Sequence, residues 1–184
     1  MKDMANAVEI VAELMALSAR TAPKARGVDS LVIKVATGDD LKKLAEELRR
    51  LMDKLNVSFF GRDAGNIENS DACLLIGCKG DDVAGLNCGA CGYSLCVKML
   101  EAQKERAGKG KTLQGPNCAI KMADLGIALG SAAKTASIHN ADSRIMYSVA
   151  VAALSLGWME GCNVAYAIPV KASGKSIYFD RPVK

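Results

Sequence analysis

Four cysteines have the residue type and the spacing for metal or redox chemistry. Two residues separate Cys88 from Cys91, four separate Cys91 from Cys96, and twenty-one separate Cys96 from Cys118. Iron–sulfur clusters are usually held by four cysteine thiolates, several of them close together in the chain. The spacing therefore predicts a 4Fe–4S cluster bound by all four residues, in a protein that transfers single electrons.

The residues around these cysteines suit such a cluster. Gly89 and Gly92 are typical of a tight turn, because glycine adopts left-handed backbone angles without steric cost. A helix predicted over residues 94–106 places Cys96 in its first turn, where the helix dipole favours a negative thiolate. Cys118 is predicted to begin the next helix, and Pro116 would stiffen the approach to it.

Two other interpretations of these four thiols stay open. Structural zinc sites usually combine two Cys-x2-Cys pairs around one tetrahedral ion. This chain has one such pair among the four residues, and the third cysteine follows four residues later, which suits a cluster better. The thiols could also be reactive or merely buried. Outside the motif, Cys73, Cys78 and Cys162 are predicted to pack in the core, with Cys78 as an alternative ligand.

Composition limits the class of protein. The 184 residues are 50% hydrophobic and 4% aromatic, and we expect one α+β domain over 1–184 with the cluster-binding module inside 68–134. No segment approaches the ~20 apolar residues that span a bilayer, and no secretory signal is evident, so we expect a cytoplasmic protein without a membrane partner.

A net charge of +4 and few aromatic residues argue against a nucleic-acid partner. Seven cysteines cannot all pair as disulfides.

Hydrophobic periodicity predicts helices and strands that alternate along the chain. The helices are predicted at 2–19, 40–54, 94–106, 118–135 and 141–156. The strands are predicted at 31–36, 57–60, 72–77, 163–168 and 176–179. These elements indicate an α+β fold in which helices flank a mixed sheet of four or five strands.

The cysteine motif resembles a known cluster-binding module. Cys88-Gly-Ala-Cys91-Gly-Tyr-Ser-Leu-Cys96, with the later Cys118, is similar to the CGxCGxxxC module of the corrinoid iron–sulfur protein and of an Rnf electron-transport subunit, where the fourth cysteine follows sooner. Nearly the whole chain, including Ile168-Pro169-Val170 near its end, resembles the uncharacterised ferredoxin-domain proteins of anaerobic bacteria and archaea. That resemblance implies cluster binding and no established reaction.

A second resemblance concerns the scaffold. Arg20-Thr-Ala-Pro-Lys24-Ala-Arg26-Gly, followed by a strand and a leucine-rich helix, is similar to the start of flavin-dependent nitroreductases. It implies a nitroreductase-like fold, a homodimer and a place for FMN along the loop at 22–27. Lys24 stands where those proteins have serine, and their arginine-rich start is missing. Lys24 and Arg26 are therefore the candidates for the charge that would bind an FMN phosphate.

Three functional hypotheses follow from these patterns. The first is a 4Fe–4S protein that exchanges electrons with a redox partner protein, and the basic stretch at 104–111 is either a solvated surface or a docking site for an acidic partner. The second is an FMN-dependent oxidoreductase that receives electrons from the cluster. The third is a non-redox protein stabilised by zinc. The sequence predicts no catalytic residue.

Overall fold

The computed structural model describes residues 4–180. Within that range the chain forms six α-helices: α1 (Ala5–Thr21), α2 (Asp39–Leu55), α3 (Phe59–Glu68), α4 (Cys96–Glu105), α5 (Ala119–Ile138) and α6 (Tyr147–Ser155). Four strands complete the fold: β1 (Leu31–Thr37), β2 (Ala72–Lys79), β3 (Asp142–Ser143) and β4 (Cys162–Lys171). A single 3-10 turn, Ala25–Gly27, lies between α1 and β1.

The sheet has the strand order β1-β2-β4-β3, and all three pairings are antiparallel. The α+β class predicted from the sequence is confirmed, while the mixed sheet is in fact wholly antiparallel. Strand β2 is buried on both faces from Ala72 to Cys78. Such continuous burial is possible because helices cover both sides of the sheet.

The two sides of the sheet have separate apolar cores. On one side α2, α3 and α6 pack with Leu44, Leu48 and Phe60 at the centre. On the other side α1 and α5 pack through Met15 and Leu125. The chain is therefore a three-layer structure of helices, sheet and helices.

Helix α2 shows how the sequence specifies an element. Its first turn carries Asp39 and Asp40 and its last turn carries Lys54, so the charges at both ends complement the helix dipole. Leu41, Leu44, Leu48 and Leu51 recur at helical spacing and are buried in the core that α2 shares with α3 and α6. Asn56, in the left-handed conformation with φ of 55°, ends the helix.

Three sequence predictions about elements are wrong. The predicted strand at 57–60 is the beginning of α3, because Phe60, Ala64 and Ile67 are buried at helical spacing. Residues 176–179 form a turn and no strand. The helix predicted from residue 141 begins only at Tyr147, because Asp142 and Ser143 pair with the end of β4.

The end of β2 determines where the cysteine motif lies. The chain leaves the sheet after Lys79, and residues 80–95 form neither helix nor strand before α4 begins. The Gln103 side-chain amide of α4 donates to the carbonyls of Gly80 (2.7 Å) and Pro116 (2.8 Å). One side chain thus ties the start of the cysteine segment to the approach to α5. None of the helices within residues 4–180 has the length and apolarity needed to cross a membrane.

Core packing makes a direct prediction for two leucines. Leu48 of α2 is fully buried, whereas Leu17 of α1 is 58% exposed. We expect Leu48→Ala to lower the free energy of unfolding by about 2–5 kcal/mol, since it removes buried methyl groups and leaves a cavity. Leu17→Ala is the matched control and should change it by no more than about 0.5 kcal/mol. Urea unfolding of both variants measures this, and equal losses would contradict the assignment of the core.

Candidate metal centre

The four predicted ligands occupy the segment after β2 and the starts of two helices. Cys88 and Cys91 lie in the irregular segment, Cys96 is the first residue of α4, and Cys118 is the N-cap of α5. All four are free thiols: Cys88 is exposed, Cys91 and Cys96 are half-buried, and Cys118 is buried. The positions predicted for Cys96 and Cys118 at helix starts are confirmed.

The backbone between Cys88 and Cys96 turns tightly, as its glycines predict. Gly89 and Gly92 have φ values of 75° and 87°, and the Gly92 N–H donates to the Gly89 carbonyl at 2.9 Å. No heavy atom lies within 4 Å of the place where a Cβ would stand at either glycine. The motif is therefore a turn with open space beside it.

Few backbone groups of this segment are engaged with the protein. Of the N–H groups of residues 81–95, all of which the structure describes, only that of Gly92 donates to another backbone group. The Cys96 N–H is capped by the Asn87 side-chain oxygen at 2.8 Å. The remaining N–H groups are free to meet solvent or a bound group. Amide N–H groups near a cluster are known to donate to its sulfur and to tune its potential.

A small apolar cluster brings two of the predicted ligands together. Buried Ala84, Met99 and Cys118 form its centre, and Cys91 packs against it. Across residues 4–180, however, no three histidine, cysteine, aspartate or glutamate side chains are gathered in a group that could hold a metal ion. The structure thus brings Cys91 and Cys118 into one cluster, and the complete four-ligand set stays a prediction.

The chemistry of the donor set fits an iron–sulfur cluster. Cys88, Cys91 and Cys96 lie in or at the end of one open segment with free N–H groups, and Cys118 belongs to the apolar cluster against which Cys91 packs. These features supply the ligands, the hydrogen-bond donors and the partial exclusion of water that such a cluster needs.

The other three cysteines have a different environment. Cys73 and Cys78 are buried in β2, and Cys162 is half-buried at the start of β4, which confirms their predicted place in the core. Burial raises the pKa of Cys73, and it raises the pKa values of Cys78 and Cys162 to about 11. Burial therefore favours the neutral thiol over the thiolate at all three positions.

A buried lysine lies beside the candidate centre, and the sequence analysis missed it. Lys121 is 1% exposed and lies one turn after Cys118 on α5. Its ammonium donates to the Val28 carbonyl at 2.9 Å and lies 3.7 Å from Asp82 and 3.6 Å from Asp124. A charged residue on the same face as a predicted ligand, in an apolar helix, is the signal that could have identified it.

The loop predicted to line FMN is used partly for other contacts. The Lys24 ammonium donates to the carbonyls of Ala19 (2.7 Å) and Arg20 (2.5 Å) at the end of α1. Burial lowers the pKa of Lys24, and its side chain is only 5% exposed. The exposed Arg26 donates to the Ala84 carbonyl at 3.1 Å, which connects this loop to the cysteine segment. Of the two residues proposed for an FMN phosphate, only Arg26 has an accessible side chain.

Comparison with known proteins agrees with this architecture. A protein from Archaeoglobus fulgidus, described only as uncharacterised, is 44% identical over 184 residues, which cover all of this chain and 97% of that protein. The model of a family described as uncharacterised proteins containing a ferredoxin domain matches residues 114–181, a range that includes Cys118.

Solved structures with a similar fold include nitroreductases. One with bound FMN from Desulfitobacterium hafniense aligns with a TM-score of 0.57 at 10% identity, over 95% of this chain and 80% of that chain. Nitroreductase A from Vibrio parahaemolyticus aligns with a TM-score of 0.56 at 9% identity, over 91% of this chain. The chain spans only 60% of the length of the Vibrio protein. At these identities the likeness concerns the fold alone.

The arrangement of helices and strands is therefore shared with these proteins at the level of the fold. The chain belongs to the family of uncharacterised proteins containing a ferredoxin domain, and it has a nitroreductase-like fold.

Proposed function

We propose that this protein is a cytoplasmic redox protein that binds one 4Fe–4S cluster through Cys88, Cys91, Cys96 and Cys118. The observation that carries the proposal is the shared apolar cluster of Cys91 and Cys118 beneath an open glycine turn. Membership of a ferredoxin-domain family supports it independently. The proposal requires this segment to bring Cys88 and Cys96 to the same centre, and the open space beside Gly89 and Gly92 leaves room for that.

The chain's own groups have distinct roles in this proposal. The four thiolates would hold the iron, and the free N–H groups of residues 88–95 would be available to donate to sulfur. Cys96 and Cys118 each lie at a helix start, where the dipole stabilises negative charge. Met99 and Ala84 shield the inner side from water. When bound, the cluster supplies reversible one-electron chemistry.

In this proposal the electrons come from a separate protein, and the basic surface charge of this chain favours an acidic one. The basic stretch at 104–111 follows α4, and its charged side chains are exposed. Arg106 and Lys109 line an open cavity with Pro116, which lies two residues before Cys118. An acidic electron carrier docked there would approach the cluster closely, and opposite charges would speed its association. We also expect the homodimer implied by the nitroreductase resemblance.

An FMN-dependent oxidoreductase is the second candidate. The fold is that of nitroreductases, and one of the similar structures contains FMN. In that case the loop at Ala25–Gly27 and the Arg26 guanidinium would contact the flavin, and the cluster would supply its electrons. A yellow component released when purified protein is denatured would support this candidate. Its absence would favour the electron-transfer protein without flavin.

Substitution of one ligand tests the cluster proposal. We expect anaerobically purified protein to be brown and to contain iron and sulfide, as thiolate-bound clusters do. Cys91→Ser should lower the iron content by about tenfold or more, since a hydroxyl is a poor ligand for cluster iron. Iron analysis and the visible spectrum of both proteins measure this.

Cys162→Ser is the matched control, because Cys162 is also half-buried but lies outside the motif. This variant should keep its iron. Equal iron in Cys91→Ser and in the unmodified protein would refute the ligand assignment. Colourless protein with one tightly bound zinc per chain would instead support the zinc-stabilised protein.

Thiol alkylation gives a second test, based on exposure and pKa. In metal-free protein at pH 8, Cys88 should react first because it is exposed. The raised pKa of Cys162, about 11 against 9.0 for a free thiol, lowers its thiolate fraction about a hundredfold. Its alkylation rate should therefore keep rising with pH until near pH 11.

Binding of the cluster should change only one of these two rates. Iron and sulfide should protect Cys88 and leave the slow reaction of Cys162 as it was, with mass spectrometry identifying the modified residues. Cys88 that reacts equally fast in the iron-loaded protein would show that it is not a ligand.

A further inference from the structure

Lys121 is a charged residue in a place that normally excludes charge. It is 1% exposed, and it lies on α5 one turn after the predicted ligand Cys118. An ammonium taken out of water is costly unless nearby groups compensate for the lost hydration. The position of its partners therefore indicates what this lysine does.

The partners of Lys121 come from three separate segments. The Val28 carbonyl, after the 3-10 turn, accepts its hydrogen bond at 2.9 Å. The carboxylate of Asp82, at the start of the cysteine segment, lies 3.7 Å away. Asp124, one turn further along α5, lies 3.6 Å away and accepts the Ala25 N–H at 3.0 Å with its other oxygen. One buried cation thus joins the N-terminal loop, the cysteine segment and α5.

Charge attraction, more than close hydrogen bonding, holds the two carboxylates. In the part of the chain that the structure describes, the buried side-chain atoms without a hydrogen-bond partner are Oδ2 of Asp124 and Oγ of Ser30. The first of these is the oxygen that faces the Lys121 ammonium. Removing one member of such a buried network leaves the opposite charges uncompensated, so the network depends on Lys121.

The network adjoins the apolar cluster that contains two of the predicted ligands. Asp82 is followed by Val83 and Ala84, and both belong to the apolar cluster that contains Cys118 and contacts Cys91. The Arg26 guanidinium holds the Ala84 carbonyl from the N-terminal loop. The contacts of Lys121 therefore keep the start of the cysteine segment against the start of α5.

We propose that Lys121 is a positioning residue for the cluster: its ammonium holds Cys118 against the cysteine segment, and its charge raises the reduction potential. Only the effect on the reduction potential rests on the proposed 4Fe–4S cluster. The effect on the position of Cys118 does not. On reduction the cluster accepts one electron from the partner protein, and no bond is formed or broken. The Lys121 ammonium favours the more negative, reduced form of an anionic cluster, whereas the carboxylates of Asp82 and Asp124 oppose it. The potential is therefore expected to be higher than with a neutral side chain at position 121.

The positioning role is tested first in metal-free protein. Lys121→Met removes the ammonium and keeps most of the side-chain volume. We expect alkylation of Cys118, which is only 7% exposed in the intact protein, to become about tenfold faster or more. Buried Cys73 serves as the internal reference and should remain unreactive. Lys134→Met, at an exposed position of the same helix, is the matched control and should leave both rates unchanged.

The electrostatic role is tested in protein reconstituted with iron and sulfide. The reduction potential should fall in Lys121→Met, stay near its original value in Lys121→Arg, which keeps the charge, and be unchanged in Lys134→Met. Unchanged Cys118 alkylation and unchanged potential in Lys121→Met would overturn the proposal. An intact protein that binds no iron would refute the cluster, while the alkylation result would still decide the positioning role.

A second variant covers the case in which Lys121→Met does not fold. Asp82→Asn weakens one contact of the network, and because the Asp82 carboxylate is 26% exposed, this change should be tolerated. Faster alkylation of Cys118 in this variant would support the proposal. An unchanged rate in folded Asp82→Asn protein would overturn it.

Discussion

The burial of β2 on both faces is the constraint on which the rest of the structure depends. Its side chains alternate between the two apolar cores, with Leu75 on one side and Leu74 and Ile76 on the other. A shift of one residue would exchange these sets, so the register against β1 and β4 is strongly specified. The pairing with β4 becomes irregular between Cys78 and Lys79, where the chain leaves the sheet. The position of the cysteine segment therefore follows from the register of the central strand.

The cysteine segment itself is stabilised in a different way. Its backbone has few hydrogen bonds of its own, and side chains from elsewhere hold it: the Gln103 amide, the Arg26 guanidinium and the Lys121 ammonium. A segment with so few internal bonds gains most of its order from what it contacts. If the four thiolates bind a cluster, the metal–sulfur bonds supply the remaining order, and cluster binding is coupled to the folding of this segment.

A helix or strand could be predicted from the sequence where the interactions that stabilise it lie within the element itself. Helix α2 was predicted correctly because its leucine periodicity and terminal charges lie within the helix itself. The strand predicted at 57–60 was wrong because Phe59 and Phe60 favour strands, whereas packing of Phe60 against α2 and α6 favours a helix. The predicted strand at 176–179 was wrong for a similar reason, since the Tyr178 hydroxyl forms a buried hydrogen bond with Ser70 (2.8 Å).

At the candidate centre, too, features with a local cause could be predicted from the sequence and features with a long-range cause could not. The cysteine spacing identified the thiols, and the helix signals placed Cys96 and Cys118 at helix starts. The contacts of Lys121 could not be predicted, because Val28 and Asp82 come from distant parts of the chain and meet only in the folded protein. Periodicity cannot indicate such a meeting, since it reports only which face of an element is buried.

The electrostatics of the site explain why an anionic cluster suits this scaffold. Helices α4 and α5 both begin at a predicted ligand, so the positive ends of two helix dipoles lie at the candidate centre. The Lys121 ammonium adds a buried positive charge on the inner side, but the two carboxylates that face it, those of Asp82 and Asp124, more than offset that charge. Lys24, by contrast, is engaged with the carbonyls that end α1, which leaves less positive charge for an FMN phosphate. The two helix starts thus favour negative charge at the proposed ligands, whereas the N-terminal loop offers an FMN phosphate only the accessible Arg26 side chain.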